Sequence, residues 1–151
     1  MRKIVVIISL LTILCLSLFS CESRRDAYEI IDSFVSAYGA EGIIYSPKIN
    51  EGDEGYINSD LIRKIYVFSG RFPENYAIFL NNHTDFSSEC GAFVCSDADM
   101  LNMVEEMCLE RIRLLSGGED HAFVKRSRDV CFYSTMKDRA RAEKIFSQII
   151  R

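Results

Sequence analysis

Between Ile4 and Phe19 the chain carries no charged residue, and only Ser9, Thr12 and Ser17 place polar atoms in that run. Arg2 and Lys3 precede it with two positive charges. A basic start followed by an apolar stretch is the pattern of an export signal, which takes no part in the mature fold. The run also falls short of the roughly 20 residues that span a bilayer comfortably. What folds must come from the remainder of a 151-residue chain, enough for one compact domain and not for a second core.

The end of the run decides the kind of signal. Leu18-Phe19-Ser20-Cys21 lacks the small-x-small pattern of an ordinary cleavage site. It resembles the lipobox of bacterial lipoproteins, with Leu18 three residues before the cysteine and small Ser20 directly before it. Phe19 departs from that pattern, where a smaller residue is usual. The resemblance implies a diacylglyceryl group on the Cys21 thiol and cleavage just before it. It divides the chain into a signal peptide (1–20), a lipidated cysteine with a short tether (21–25) and a single domain (26–151). One acyl chain binds a bilayer marginally and two anchor it stably, at about 0.8 kcal/mol per buried CH₂. The expected address is the outer face of the cell membrane, with the membrane itself as first partner. An uncleaved membrane helix with an incidental cysteine is the alternative.

Removing 1–20 takes away Arg2 and Lys3, so Lys+Arg falls from 18 to 16 against 22 Asp+Glu, a net charge of −6. So acidic a domain is not expected to bind nucleic acid, which rewards dense Lys and Arg. Arg24 and Arg25 adjoin the anchor and are expected near headgroups or simply solvated.

The mature chain is patterned as helices and strand pairs. Ala27, Ile30, Ile31, Phe34, Val35 and Tyr38 recur three and four apart, which predicts a helix over 26–38 stopped by Gly39, with Ser23 and Asp26 as its capping box. Residues 42–55 hold Pro47 and the acids Glu51, Asp53 and Glu54, and are expected to form a long loop. A short helix with Leu61, Ile62, Ile65 and Tyr66 inward follows. Strands are predicted over 75–81 and 90–95, then a helix opened by Ser96-Asp97-Ala98-Asp99 with Met100, Met103, Val104, Met107, Cys108, Ile112 and Leu115 on one face. Gly117-Gly118 ends it. A second strand pair over 121–126 and 129–134 turns at Ser127-Arg128, and a last helix, capped through Thr135 and Asp138, buries Ala142, Ile145, Phe146, Ile149 and Ile150. Phe93 and Phe132 take equivalent places in two strand-strand-helix units. The expected class is therefore α+β: N-terminal helices, then a four-stranded antiparallel sheet with helices packed on one face.

The stretch 73–111, with Tyr76-Ala77-Ile78-Phe79-Leu80, Glu89-Cys90-Gly91-Ala92-Phe93 and a helix ending near Glu110-Arg111-Ile112, resembles a family of small Gram-positive (Firmicute-type) lipoproteins. That family is known only as a domain of unknown function. The likeness covers most of 56–150 and implies export without implying an activity. Glu89 and Arg111 are the residues it carries over. If Arg111 returns to the sheet edge near Glu89, the two form an ion pair that fixes the helix on the strands; two separate surface charges are the alternative.

Past the leader and the anchor, Cys90, Cys95, Cys108 and Cys131 remain, allowing three disulfide pairings in an exported chain. Cys95 and Cys131 fall in strand patterns and Cys108 on a helical core stripe, where cysteine acts as a small hydrophobe. The family likeness also implies a class of exported proteins that avoids disulfides. No Cys-x-x-Cys and no close Cys/His pair marks a zinc site, Glu51, Asp53 and Glu54 do not make an EF-hand, and neither metal nor cofactor is expected. Cys90 with His83 or His121 is the only thiolate–imidazole pairing to consider. Asn82-His83-Thr84 is a glycosylation sequon without meaning in a bacterium. No constellation dictates a chemistry. A non-catalytic accessory or protein-binding module of the envelope is the leading expectation, meeting another envelope protein through its acidic sheet or loop. A small-ligand or peptide binder on an exposed sheet face, or a small thiol-dependent or hydrolytic enzyme, are the alternatives.

Overall fold

Short polar side chains set the helix starts. In the computed structural model, which describes residues 25–81, 88–116 and 120–151, Asp26 accepts from the Tyr28 amide and opens α1 (Ala27–Tyr38). Asn58 accepts from Leu61 N to open α2 (Ser59–Ile65). Asp97 accepts from Met100 N at 2.8 Å to open α3 (Ala98–Ser116), and Asp138 accepts from Arg141 N to open α4 (Arg139–Ile149). Each side chain satisfies an amide with no partner inside its helix. Thr135, expected in the last of these caps, binds the backbone of Glu89 instead. Cys21, Ser23, His83, Gly117 and Gly118 lie outside the described residues.

The strands are β1 (Gly42–Tyr45), β2 (Asn75–Asn81), β3 (Glu89–Val94), β4 (Phe123–Ser127) and β5 (Val130–Ser134). They form one antiparallel sheet of five strands in the order β1-β2-β3-β5-β4. The class is α+β, with one strand more than expected. The extra strand is β1, which falls where a long loop was anticipated. Its Gly42 lies so close to β2 that an added Cβ would meet Leu80 O at 2.2 Å and the Phe79 ring at 2.6 Å. Glycine lets this edge strand pack tightly against its neighbour. The β4–β5 turn is Arg128-Asp129, one residue later than expected, with Arg128 in the left-handed region at φ 55.

Helices cover both faces of the sheet, not one. Ala77, Phe79, Cys90, Ala92, Val94, Val130 and Phe132 point to a core shared with α1 and α4. Tyr76, Ile78, Phe93, Cys95, Cys131 and Tyr133 point to the other side, against α2 and α3. Side chains alternate across a strand, and here both alternating sets are apolar, so each needs a cover. Phe93 and Phe132 consequently face opposite cores. The register pairs Phe93 with Cys131 and Ala92 with Phe132. A rotation exchanging the antiparallel hairpins β2–β3 and β5–β4 within the sheet would leave both following helices on one face. With α3 and α4 on opposite faces, the two units repeat in chain order and not in space.

Candidate functional site

Glu89 opens β3, and the β3 alternation turns its carboxylate toward the α3 side of the sheet, where its side chain is 2% exposed. The backbone there is pinned by β5's continuation: Thr135 N donates to Glu89 O at 2.9 Å, and Glu89 N donates to Thr135 Oγ1 at 2.8 Å. Arg111, on the facing side of α3, meets the carboxylate in a fork. Its Nε donates to Oε1 and its Nη2 to Oε2, both at 2.7 Å. Parallel charge-assisted bonds of this kind fix orientation as well as distance. The third guanidinium nitrogen, Nη1, donates to Ile65 O at 3.3 Å at the end of α2, and the group lies over the Tyr66 ring, 5.4 Å from its centroid.

Two tyrosines complete the cluster. Tyr133 OH donates to Glu89 Oε1. Because that proton is committed, Tyr66 OH is the donor in its bond with Tyr133 OH. Glycine makes room for this chain of bonds. Gly91 faces Tyr133 across the strand pair, and a Cβ on it would meet Tyr133 Cε1 at 2.5 Å. The tyrosine ring lies in the space that a side chain at position 91 would fill.

Burial, and next the Glu89 charge, push the Tyr66 and Tyr133 hydroxyls well above the usual tyrosine range. Burial opposes the charge on Arg111, but the hydrogen bonds and charge of Glu89 outweigh it and hold the guanidinium above its ordinary value. Burial, then Glu89, also lifts the Cys90 thiol well above its usual value. Cys90 is fully buried. That is the reverse of the lowered pKa and access that a nucleophilic thiol needs. His121 lies partly buried just before β4. Both carboxylate oxygens of Glu89 are engaged, so the cluster joins β3, β5, α2 and α3.

Cavities lie elsewhere. One of about 410 Å³ is lined by Phe72, Pro73, Asn75, Val94 and Met100 together with Lys48 and Arg71. Those two cations pair with Asp26 and Asp97. Others of about 440 and 510 Å³ border Arg25 and Ile150, and Tyr38 and Met136. Among the described residues no group of three or more His, Cys, Asp or Glu is placed to hold a metal ion, and no helix is long and apolar enough to cross a membrane. Glu51, Asp53 and Glu54 are exposed.

The structure thus brings Glu89 and Arg111 together. Sequence reasoning placed Tyr66 inward without giving its hydroxyl a partner and missed Tyr133, although a tyrosine in an otherwise apolar strand signals a hydroxyl in need of a buried partner. No family model, curated protein or solved structure matches the chain.

Proposed function

We propose that this protein is a lipid-anchored lipoprotein at the outer face of the cell membrane, with a folded domain that acts as a non-catalytic accessory or protein-binding module of the envelope. One observation carries the reading. The body grips the chain from Arg25 onward: Asn75 Nδ2 donates to Arg25 O at 2.9 Å, and Arg25 Nη2 donates to Ile150 O at 2.9 Å. Only Glu22, Ser23 and Arg24 separate Arg25 from Cys21. At about 3.5 Å per residue the domain can move roughly 14 Å from a lipidated cysteine. A protein tethered so closely works on what lies at the headgroups or in a neighbouring envelope protein. The lipobox-like Leu18-Phe19-Ser20-Cys21 points to the same address.

The interior supports a binding role over a catalytic one. The buried carboxylate is consumed in an ion pair and Cys90 is sealed in the core, which removes support from a thiol enzyme. An open sheet face is also gone as a platform, since helices cover both sides. The exposed loop carrying Glu51, Asp53 and Glu54 remains the acidic surface for a partner. It is shaped by Ser46 N donating to Gly55 O at 2.9 Å and Tyr56 N to Asp53 O at 3.1 Å. The cavity of about 410 Å³ favours a second reading, a small-ligand or peptide binder, being within the usual size for a ligand pocket.

Mass spectrometry of the mature N-terminus tests the anchor. A diacylated Cys21 is expected as the first residue; an unmodified cysteine or an intact Met1 ends the proposal. Crosslinking in intact cells followed by membrane pull-down tests the module, and an absence of any reproducible envelope partner argues against it.

A further inference from the structure

The α3–β5 interface holds two thiols in contact. Cys108 on α3 and Cys131 on β5 are both fully buried, and their Sγ atoms stand 4.0 Å apart. Both are free. The contact is registered by the polar cluster beside it. Arg111 lies one helical turn beyond Cys108, and Tyr133 lies two residues beyond Cys131 on the same face of β5. Arg111 and Tyr133 both bind the Glu89 carboxylate. The fork that fixes α3 against the sheet therefore fixes the two sulfurs opposite one another.

We propose that Cys108 and Cys131 are an oxidative cross-linking site, closing to a disulfide that clamps α3 to β5. A disulfide needs sulfurs about 2.0 Å apart, so closure requires a combined shift of roughly 2 Å between a helix and a strand already in contact. The two thiols give up two protons and two electrons as the Sγ–Sγ bond forms. A small cyclic disulfide takes them up and leaves as its dithiol. The step runs through a mixed disulfide on one cysteine, which the other then displaces. Burial holds the Cys108 thiol protonated, so attack on the oxidant begins when α3 lifts, and the reaction is slow in the closed fold and fast during refolding. The site follows from α3 and β5 alone and does not depend on the lipid anchor.

The test uses the full-length protein as isolated, reduced and then refolded from urea with oxidised dithiothreitol. After acid quenching and alkylation in denaturant, peptide mapping locates the bond. A Cys108–Cys131 linked pair with Cys90 and Cys95 alkylated is expected. Alkylation of Cys108 and Cys131, or a bond that joins either of them to any other cysteine, overturns the proposal. The bond closes a loop of roughly 24 residues, so the unfolding equilibrium constant is expected to fall by about two orders of magnitude. Reductant reverses that gain, and Cys90→Ala and Cys95→Ala leave it in place. Mapping on the unmutated chain decides the matter even if Cys108→Ser fails to fold.

Discussion

Replacing Arg111 by Met leaves the Glu89 carboxylate buried with its counter-ion gone. The Glu89 side chain is 2% exposed and that of Arg111 is 17% exposed, so the two halves of the pair differ in how readily they reach water. Stranding the glutamate is the harsher change. Removing one partner of a buried pair costs about 3–5 kcal/mol, and Arg111→Met is expected in that range. Glu89→Leu is expected to cost about 2–3 kcal/mol, because a long arginine stem can carry its charge to the surface. The double replacement removes both charges and leaves the Tyr133 hydroxyl without its acceptor, a loss of about 1–3 kcal/mol. The double mutant should therefore be more stable than Arg111→Met alone, with a coupling energy of at least about 2 kcal/mol. Urea denaturation followed by circular dichroism measures all four proteins, provided the m-value is unchanged. Losses that add to within about 0.5 kcal/mol would refute the claim that these residues act as a buried pair.

Gly91→Ala drives a methyl into the Tyr133 ring and should cost about 1–3 kcal/mol; an unchanged urea midpoint would show that the ring can yield. Val67 is a β-branched residue at φ 50 and is 80% exposed. Val67→Gly removes that strain and should raise stability by about 1 kcal/mol, read as a higher melting temperature. Alkali should unfold the protein. Burial lifts Cys95 from 9.0 to about 12 and Tyr76 from 10.0 to about 12, and pushes Tyr66, Tyr133, Cys90 and Cys108 well up. These groups ionise earlier in the unfolded chain, so stability is intact below about pH 9 and falls as pH climbs toward the folded values. A flat stability profile from pH 8 to about 11 would contradict this.

The helices were legible because their apolar positions recur at three and four and an Asp or Asn begins each one. The two hairpins were legible from apolar runs broken by polar turns. β1 was not: four residues, Gly42-Ile43-Ile44-Tyr45, followed closely by Pro47 and a run of acids, carry too little pattern to stand out from loop. The second helical layer was readable in principle. Cys90 to Cys95 and Val130 to Tyr133 are unbroken apolar runs, and an uninterrupted run marks a strand buried on both sides. Glu89 and Arg111 were named through the family resemblance, and their pairing was one of two alternatives that spacing left open. Tyr133 reaches them through the β3–β5 register, which pairs strands separated by α3 and β4, and Tyr66 stands at the end of α2.

That strand order also has a bearing on synthesis. β3 is complete early, but its second neighbour, β5, is made only after α3 and β4. A chain that emerges from its N-terminus must therefore hold the edge of β3, with Ala92, Phe93 and Val94, open to other chains until some forty further residues have followed. Truncation anywhere in that interval would leave a half-sheet prone to aggregate.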